Sequence, residues 1–215
     1  MKNIKIEIWS DVACPFCYIG KRKLEAALAQ FEHKDSVEIQ WKSFILDPNK
    51  KTDTKINIEM SLAKRKGISI DEAKSMSSYA TEAAKKVGLH YNFDKTIVSN
   101  TYKAHRFLHY SKTKNLQNLA KEAVFKTYFL DGKNIDDTDT LSQLGKELGM
   151  DKDTLLDILN SDKYLDDVNK DISEAQEIGV RGVPFFLFNR QYAVSGAQDS
   201  EIMLNTLEKA FSEMK

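Results

Sequence analysis

The hydrophobic pattern of this chain changes period twice, and those changes divide it. Ile4-Lys5-Ile6-Glu7-Ile8-Trp9 reads as an apolar strand, and a helical run follows in Lys21-Arg22-Lys23-Leu24-Glu25-Ala26-Ala27-Leu28. Val37, Ile39 and Trp41 then alternate with Glu38, Gln40 and Lys42, the pattern of a half-buried strand. Phe44-Ile45-Leu46 extends that strand to Pro48, which closes it. A strand, helix and strand joined in this way predict a right-handed crossover and parallel strands.

From about residue 50 to about residue 160 the period is helical throughout. Ser69-Ile70-Asp71-Glu72 is a capping box, followed by Ala73, Met76, Ala80 and Ala84 on one face and Gly88 as a stop. Asn115 precedes Leu116, Leu119, Ala123 and Val124, and Gly132 ends that run. Leu141, Leu144 and Leu148 form a further amphipathic set before Gly149, and Asp151 opens a helix containing Leu155 and Leu159. With no proline and no strand alternation, the region predicts a bundle of four to six helices.

The remaining residues return to mixed structure. Leu165, Val168, Ile172 and Ala175 mark a helix that ends at Gly179. Phe185-Phe186-Leu187-Phe188 and Tyr192-Ala193-Val194 flank Asn189-Arg190-Gln191, a hairpin connection between antiparallel strands. A last helix begins near Asp199 or Ser200 and turns Met203, Leu207, Ala210 and Phe211 inward. The two ends together spell strand-helix-strand and helix-strand-strand-helix. The predicted class is α/β: a thioredoxin fold from residues 1–50 and 160–215, with an all-helical domain inserted over residues 51–159.

Composition narrows the function. The chain has 215 residues, 41% hydrophobic and 30% charged, which describes a folded soluble protein. Lys plus Arg equals Asp plus Glu at 32 each, so net charge gives no case for nucleic acid or an acidic membrane surface. No window is apolar enough to span a bilayer. Met1-Lys2-Asn3 leads straight into strand residues, leaving no room for a signal peptide and predicting a cytoplasmic protein. In that compartment a cysteine pair is more often catalytic than structural.

The only two cysteines stand in Cys14-Pro15-Phe16-Cys17, at a strand-to-helix junction. That placement reads as a thioredoxin-like redox pair. A thiolate on the first turn of a helix meets unsatisfied backbone N–H groups and the positive end of the macrodipole, which favour the ionised form. A second cysteine one turn later can attack a mixed disulfide and release the substrate. Pro15 suits the first helical position, where its missing N–H costs nothing. Cys14 is therefore the expected solvent-facing nucleophile and Cys17 the resolving thiol a turn inward. Gly182-Val183-Pro184 precedes the third strand, a place where a strand tolerates proline.

These stretches carry a resemblance. Trp9-Ser10-Asp11 leading into Cys14-Pro15-Phe16-Cys17-Tyr18-Ile19-Gly20, then Ser99-Asn100-Thr101 with Ala104-His105-Arg106, then Gly179-Val180-Arg181-Gly182-Val183-Pro184 resemble the DsbA-family oxidoreductases of the FrnE-like branch. The resemblance implies a cis Val183–Pro184 bond, with Pro184 packed across from the cysteines and Val183 offering backbone groups to substrate. It implies that Pro15, Phe16, Asn100, Thr101 and His105 line a groove above Cys14, capped by the inserted helices. Kappa-class glutathione transferases and hydroxychromene carboxylate isomerases are similar in fold, but typically carry serine where this chain has Cys14. The branch usually has tryptophan where this chain has Phe16. Many thioredoxin-fold enzymes also bury a carboxylate six residues before the first cysteine, where this chain has Ile8. Asp11 is the nearest acid, a proton relay or a cap for the active-site helix.

Cys14, Cys17, His105 and His109 match the letters of a zinc site, but the interval between the pairs is far too long and Pro15 favours redox chemistry. No metal is expected, and no organic cofactor, since the two sulfurs carry both electrons; glutathione is a possible co-substrate. The expected function is thiol–disulfide exchange, as an oxidoreductase or isomerase acting on protein or small-molecule thiols and disulfides. The alternatives are a glutathione-dependent isomerase or transferase and a peptide-binding, chaperone-like module. Nothing in the pattern sets the oligomeric state, and a monomer is the simplest expectation.

Overall fold

The computed structural model describes residues 3–214. Among them, β1 (Ile4–Ser10) leads to α1 (Pro15–Gln30), and after a short turn at Lys34–Ser36 the chain enters β2 (Val37–Ser43). Helices α2 (Ile58–Lys66), α3 (Ile70–Lys85), α4 (Tyr102–Thr113), α5 (Gln117–Phe129), α6 (Thr138–Glu147) and α7 (Lys152–Leu159) follow. Then come α8 (Leu165–Glu177), β3 (Phe185–Phe188), β4 (Tyr192–Ser195) and α9 (Ser200–Ser212). The strands form one sheet in the order β2-β1-β3-β4. β1 and β2 are parallel from Ile4↔Val37 to Ser10↔Ser43, and β3 runs antiparallel to both β1 and β4. This is the thioredoxin arrangement predicted from element order, with α2–α7 lying between β2 and α8 in the chain.

β1 is an inner strand, so both of its faces are covered. Ile4, Ile6 and Ile8 are fully buried with Leu24 and Ala27 of α1 and Met203, Leu207 and Ala210 of α9. On the other face Trp9 packs with Ala175 of α8 and Val180, and its indole N–H donates to Asp171 O at 3.0 Å. β3 divides its side chains the same way: Phe186 and Phe188 join the α1–α9 side, Phe185 and Leu187 the α8 side. Each large side chain so buried contributes about 1.5–3 kcal/mol, enough to hold the sheet between its two helical layers. Glu7 is carried inside with them, and Arg190 meets it, Nε to Oε2 at 2.7 Å. Arg190 can do so because the hairpin turn holds Asn189 and Arg190 in the left-handed region.

Two expectations need correction. β2 ends at Ser43, short of Phe44–Leu46, because β1 ends opposite it at Ser10. Carboxylates then take over the backbone, with Ser43 N–H donating to Asp171 Oδ2 and Leu46 N–H to Asp11 Oδ2, each at 2.8 Å. On α5, Leu119 is 57% exposed. The buried arc of that helix instead runs through Gln117, Ala120, Lys121, Val124, Phe125 and Tyr128.

α1 lies against β3 because residue 20 is glycine. A Cβ at Gly20 would stand 2.9 Å from Pro184 Cγ and 3.1 Å from Phe186 Cζ. Gly20→Ala should therefore cost about 1–3 kcal/mol of stability through overpacking. Urea denaturation reads this directly, and an unchanged midpoint would mean that α1 has room to spare there.

Candidate active site

Cys14 is the N-cap residue of α1, with extended backbone, and Pro15 begins the helix. Cys14 N–H donates to Asp11 O at 3.2 Å and Cys17 N–H to Cys14 O at 3.1 Å, which sets Cys17 one turn inward and fully buried. The Asp11 carboxylate fastens the same bend, accepting Ala13 N–H at 3.2 Å and Leu46 N–H at 2.8 Å. From the inserted region, the Tyr91 hydroxyl donates to Pro15 O at 2.7 Å.

Facing this turn, the Val183–Pro184 peptide is cis and Pro184 is buried. Val183 O accepts from Cys14 Sγ at 3.6 Å. Cys14 was expected to face solvent but is only 5% exposed, because this carbonyl and the residues around it cover the sulfur. Its opening is a cavity of about 280 Å³. Pro15, Phe16, Leu62, Met76, Phe93 and Thr101 supply much of the lining, and Lys50, Arg65 and Lys66 bring cationic groups to it. Met76, placed on the inner face of α3 by its spacing, is 42% exposed and contributes to this lining.

The three residues assigned to the groove from the inserted region separate. Thr101 lines the cavity. His105 does not; it is buried, with Nε2 3.4 Å from Asp11 Oδ1. Asn100 is not among the lining residues either, because its side chain is engaged elsewhere. Its Nδ2 donates to Lys50 O at 2.8 Å and its Oδ1 accepts Tyr102 N–H at 2.9 Å, bracing one segment against the start of α4. Arg106 donates to Ile158 O and Leu159 O at 3.2 and 3.1 Å, closing the end of α7. His109 meets Asp171 Oδ2 and Ser43 Oγ, each at 3.1 Å, and so ties α4 to α8 and β2. Among the described residues, no group of three or more His, Cys, Asp or Glu side chains is placed to hold a metal ion.

Lys121 was missed. It is 1% exposed on α5, and its Nζ donates to Ser10 O at 3.4 Å. The same nitrogen lies 4.7 Å from the Phe125 ring centroid and 5.2 Å from that of Trp41. The available signal was its position between Gln117, Val124 and Tyr128, at helical spacing on a buried face.

Burial acts on Cys17, Asp11, His105 and Lys121, and neighbours decide the outcome. It pushes the Cys17 thiol well above its ordinary range, and the hydrogen bond and charge of Cys14 add to this, while Ser10 and Lys121 oppose it. It would raise Asp11 as well, but His105 and the amides of Leu46 and Ala13 outweigh it and hold the carboxyl below its usual value. It lowers His105 despite the Asp11 carboxylate, so the pair is a neutral imidazole donating to an anion. It brings Lys121 down to about 8.

The comparisons with known proteins give the family and the fold. The family model described as a DSBA-like thioredoxin domain matches residues 5–208. The chain belongs to that family. It is 27% identical over 217 residues to the uncharacterised protein YwbO of Bacillus subtilis (strain 168), covering 98% of this chain and 97% of that one. The crystal structure of a probable DsbA oxidoreductase from Streptomyces coelicolor superposes with a TM-score of 0.90 at 33% identity, covering 99% of this chain and 92% of that one. The cytosolic disulfide reductase DsbM from Pseudomonas aeruginosa has the same fold at a TM-score of 0.68 and 12% identity, covering 98% of this chain and all of that one.

Two outcomes are expected of this site. Limiting alkylation of the reduced protein at neutral pH should modify Cys14 before Cys17, read by peptide mass spectrometry; preferential labelling of Cys17 would contradict the order of burial. His105, lowered in the folded state, contributes stability that is present above about pH 6.5 and lost as the pH falls, because the unfolded chain takes up the proton first. His105→Asn should flatten the fall in urea midpoint between pH 7 and 5. An unchanged slope would assign that fall to other groups.

Proposed function

We propose that this DsbA-like protein is a cytosolic thiol–disulfide oxidoreductase that exchanges disulfides with protein or small-molecule thiols through Cys14 and Cys17. One observation carries the reading: the two thiols sit one helical turn apart at the start of α1, opposite Pro184, with Cys14 alone of the two opening onto a cavity. A Cys14 thiolate attacks a substrate disulfide, or a substrate thiolate attacks the Cys14–Cys17 disulfide at Cys14. Both routes pass through a mixed disulfide at Cys14: Cys17 leaves when a substrate thiolate forms it, and attacks Cys14 when it is resolved. Lys50, Arg65 and Lys66 outnumber Asp11 and Asp47 around the cavity, which suits glutathione as a co-substrate. Among the described residues no helix is long and apolar enough to cross a membrane.

The test is turnover in an insulin or glutathione disulfide reductase assay with wild type, Cys14→Ser and Cys17→Ser. Cys14→Ser should fall to background, and Cys17→Ser should accumulate a mixed disulfide visible by mass. Full activity in Cys14→Ser, with glutathione still bound, would replace exchange by a transferase-like chemistry.

A further inference from the structure

A side chain of the inserted region reaches the backbone between the two cysteines. The Pro15–Phe16 peptide lies inside the ring that a Cys14–Cys17 disulfide would close, and its own groups pin it weakly. Pro15 has no N–H. Among the described residues Phe16 N–H has no acceptor, and the Phe16 ring leans on the exposed ring of Tyr79 at 6.1 Å. Pro15 O, by contrast, accepts the Tyr91 hydroxyl at 2.7 Å.

Tyr91 is itself held fast. It is 8% exposed, its ring lies 4.8 Å from that of Phe129 and 5.5 Å from that of Phe93, and it stacks on Tyr18 at 6.2 Å. Asn92 N–H donates to Phe129 O at 2.8 Å, which fixes the backbone beside it. Tyr18 is fastened in turn, its hydroxyl donating to Glu122 Oε1 at 2.6 Å. Burial pushes the Tyr91 hydroxyl far above its ordinary range, so it remains a donor. A phenylalanine would fill the same aromatic packing, but it would not reach the Pro15 carbonyl.

Resting on the exchange reading above, we propose that Tyr91 is a positioning residue for the dithiol: by holding the Pro15 carbonyl it keeps the turn between Cys14 and Cys17 wound for ring closure. In that step the Cys17 sulfur bonds to Cys14 of a mixed disulfide and the bond from Cys14 to the substrate sulfur breaks. The substrate leaves as a thiol, with the proton that Cys17 gives up. Over the two steps the dithiol loses two electrons and the substrate disulfide gains them; Tyr91 exchanges neither proton nor electron. Its contribution is order. A wound turn presents Cys17 to Cys14 at a higher effective concentration than a loop that must first be arranged. The closed ring constrains the loop by itself, so loss of the hydroxyl is felt in the open mixed disulfide.

The experiment equilibrates the protein with reduced and oxidised glutathione, quenches it in acid, and counts the mixed disulfide and the Cys14–Cys17 disulfide by intact mass. The ratio of closed to mixed disulfide, multiplied by the reduced glutathione concentration, is the effective concentration of Cys17. Tyr91→Phe should lower it about two- to tenfold, the range that one net hydrogen bond supplies. Asn118→Ala is the control. It removes a hydrogen bond of the inserted region that runs to β2 rather than to the turn, from Trp41 Nε1 to Asn118 Oδ1 at 2.9 Å, and should leave the effective concentration unchanged. An unchanged or raised value in Tyr91→Phe would overturn the proposal. An equal fall in Asn118→Ala would also overturn it, because general loosening would then suffice. Should wild type form neither a mixed nor an intramolecular disulfide, the exchange reading fails, and the proposal with it.

Discussion

The first turn of α1 is pressed against the Val183–Pro184 turn, and the site depends on that contact. It requires glycine at residue 20, where a Cβ would meet the Pro184 ring. It requires the bend at Asp11–Cys14, which the Asp11 carboxylate holds through Ala13 and Leu46 N–H groups. It places the Cys14 sulfur against Val183 O rather than in open solvent. Behind it, the packing of Ile6 and Ile8 with α1 and α9 leaves the helix little freedom to tilt away.

The same close packing creates the electrostatic character of the site. Asp11, Cys17, His105 and Lys121 are each withdrawn almost completely from water, a costly state for any charge that lacks a partner. The structure answers with opposite pulls. Asp11 stays ionised because His105 and two amides donate to it, while Cys17 is driven toward its neutral form by burial and by Cys14. Where many thioredoxin-like proteins bury a carboxylate, Ile8 packs in the apolar core.

Much of this was legible in the sequence. Period-two and helical spacing located the strands and helices, and Pro15 beside the cysteines marked the start of α1. Failures occurred where a polar side chain replaced an expected backbone or apolar contact. β2 was read as too long because Asp171 and Asp11 accept the N–H groups of Ser43 and Leu46. The resemblance placed Asn100 in the groove, but its amide reaches backbone groups at Lys50 and Tyr102. Lys121 was invisible to a hydrophobic pattern, since a lysine reads as solvent-facing unless its neighbours at 117, 124 and 128 are given more weight than its charge.

The reactive pair is the centre of the account, and its redox equilibrium is the most direct test. The protein is equilibrated in glutathione buffers of graded potential, and the Cys14–Cys17 state is counted by trapping free thiols and measuring mass. The expected result is one two-electron transition between dithiol and intramolecular disulfide, within the span of about −270 to about −120 mV set by thioredoxin and DsbA. A chain that stays dithiol throughout, or that accumulates only glutathione adducts without closing the Cys14–Cys17 bond, would contradict it.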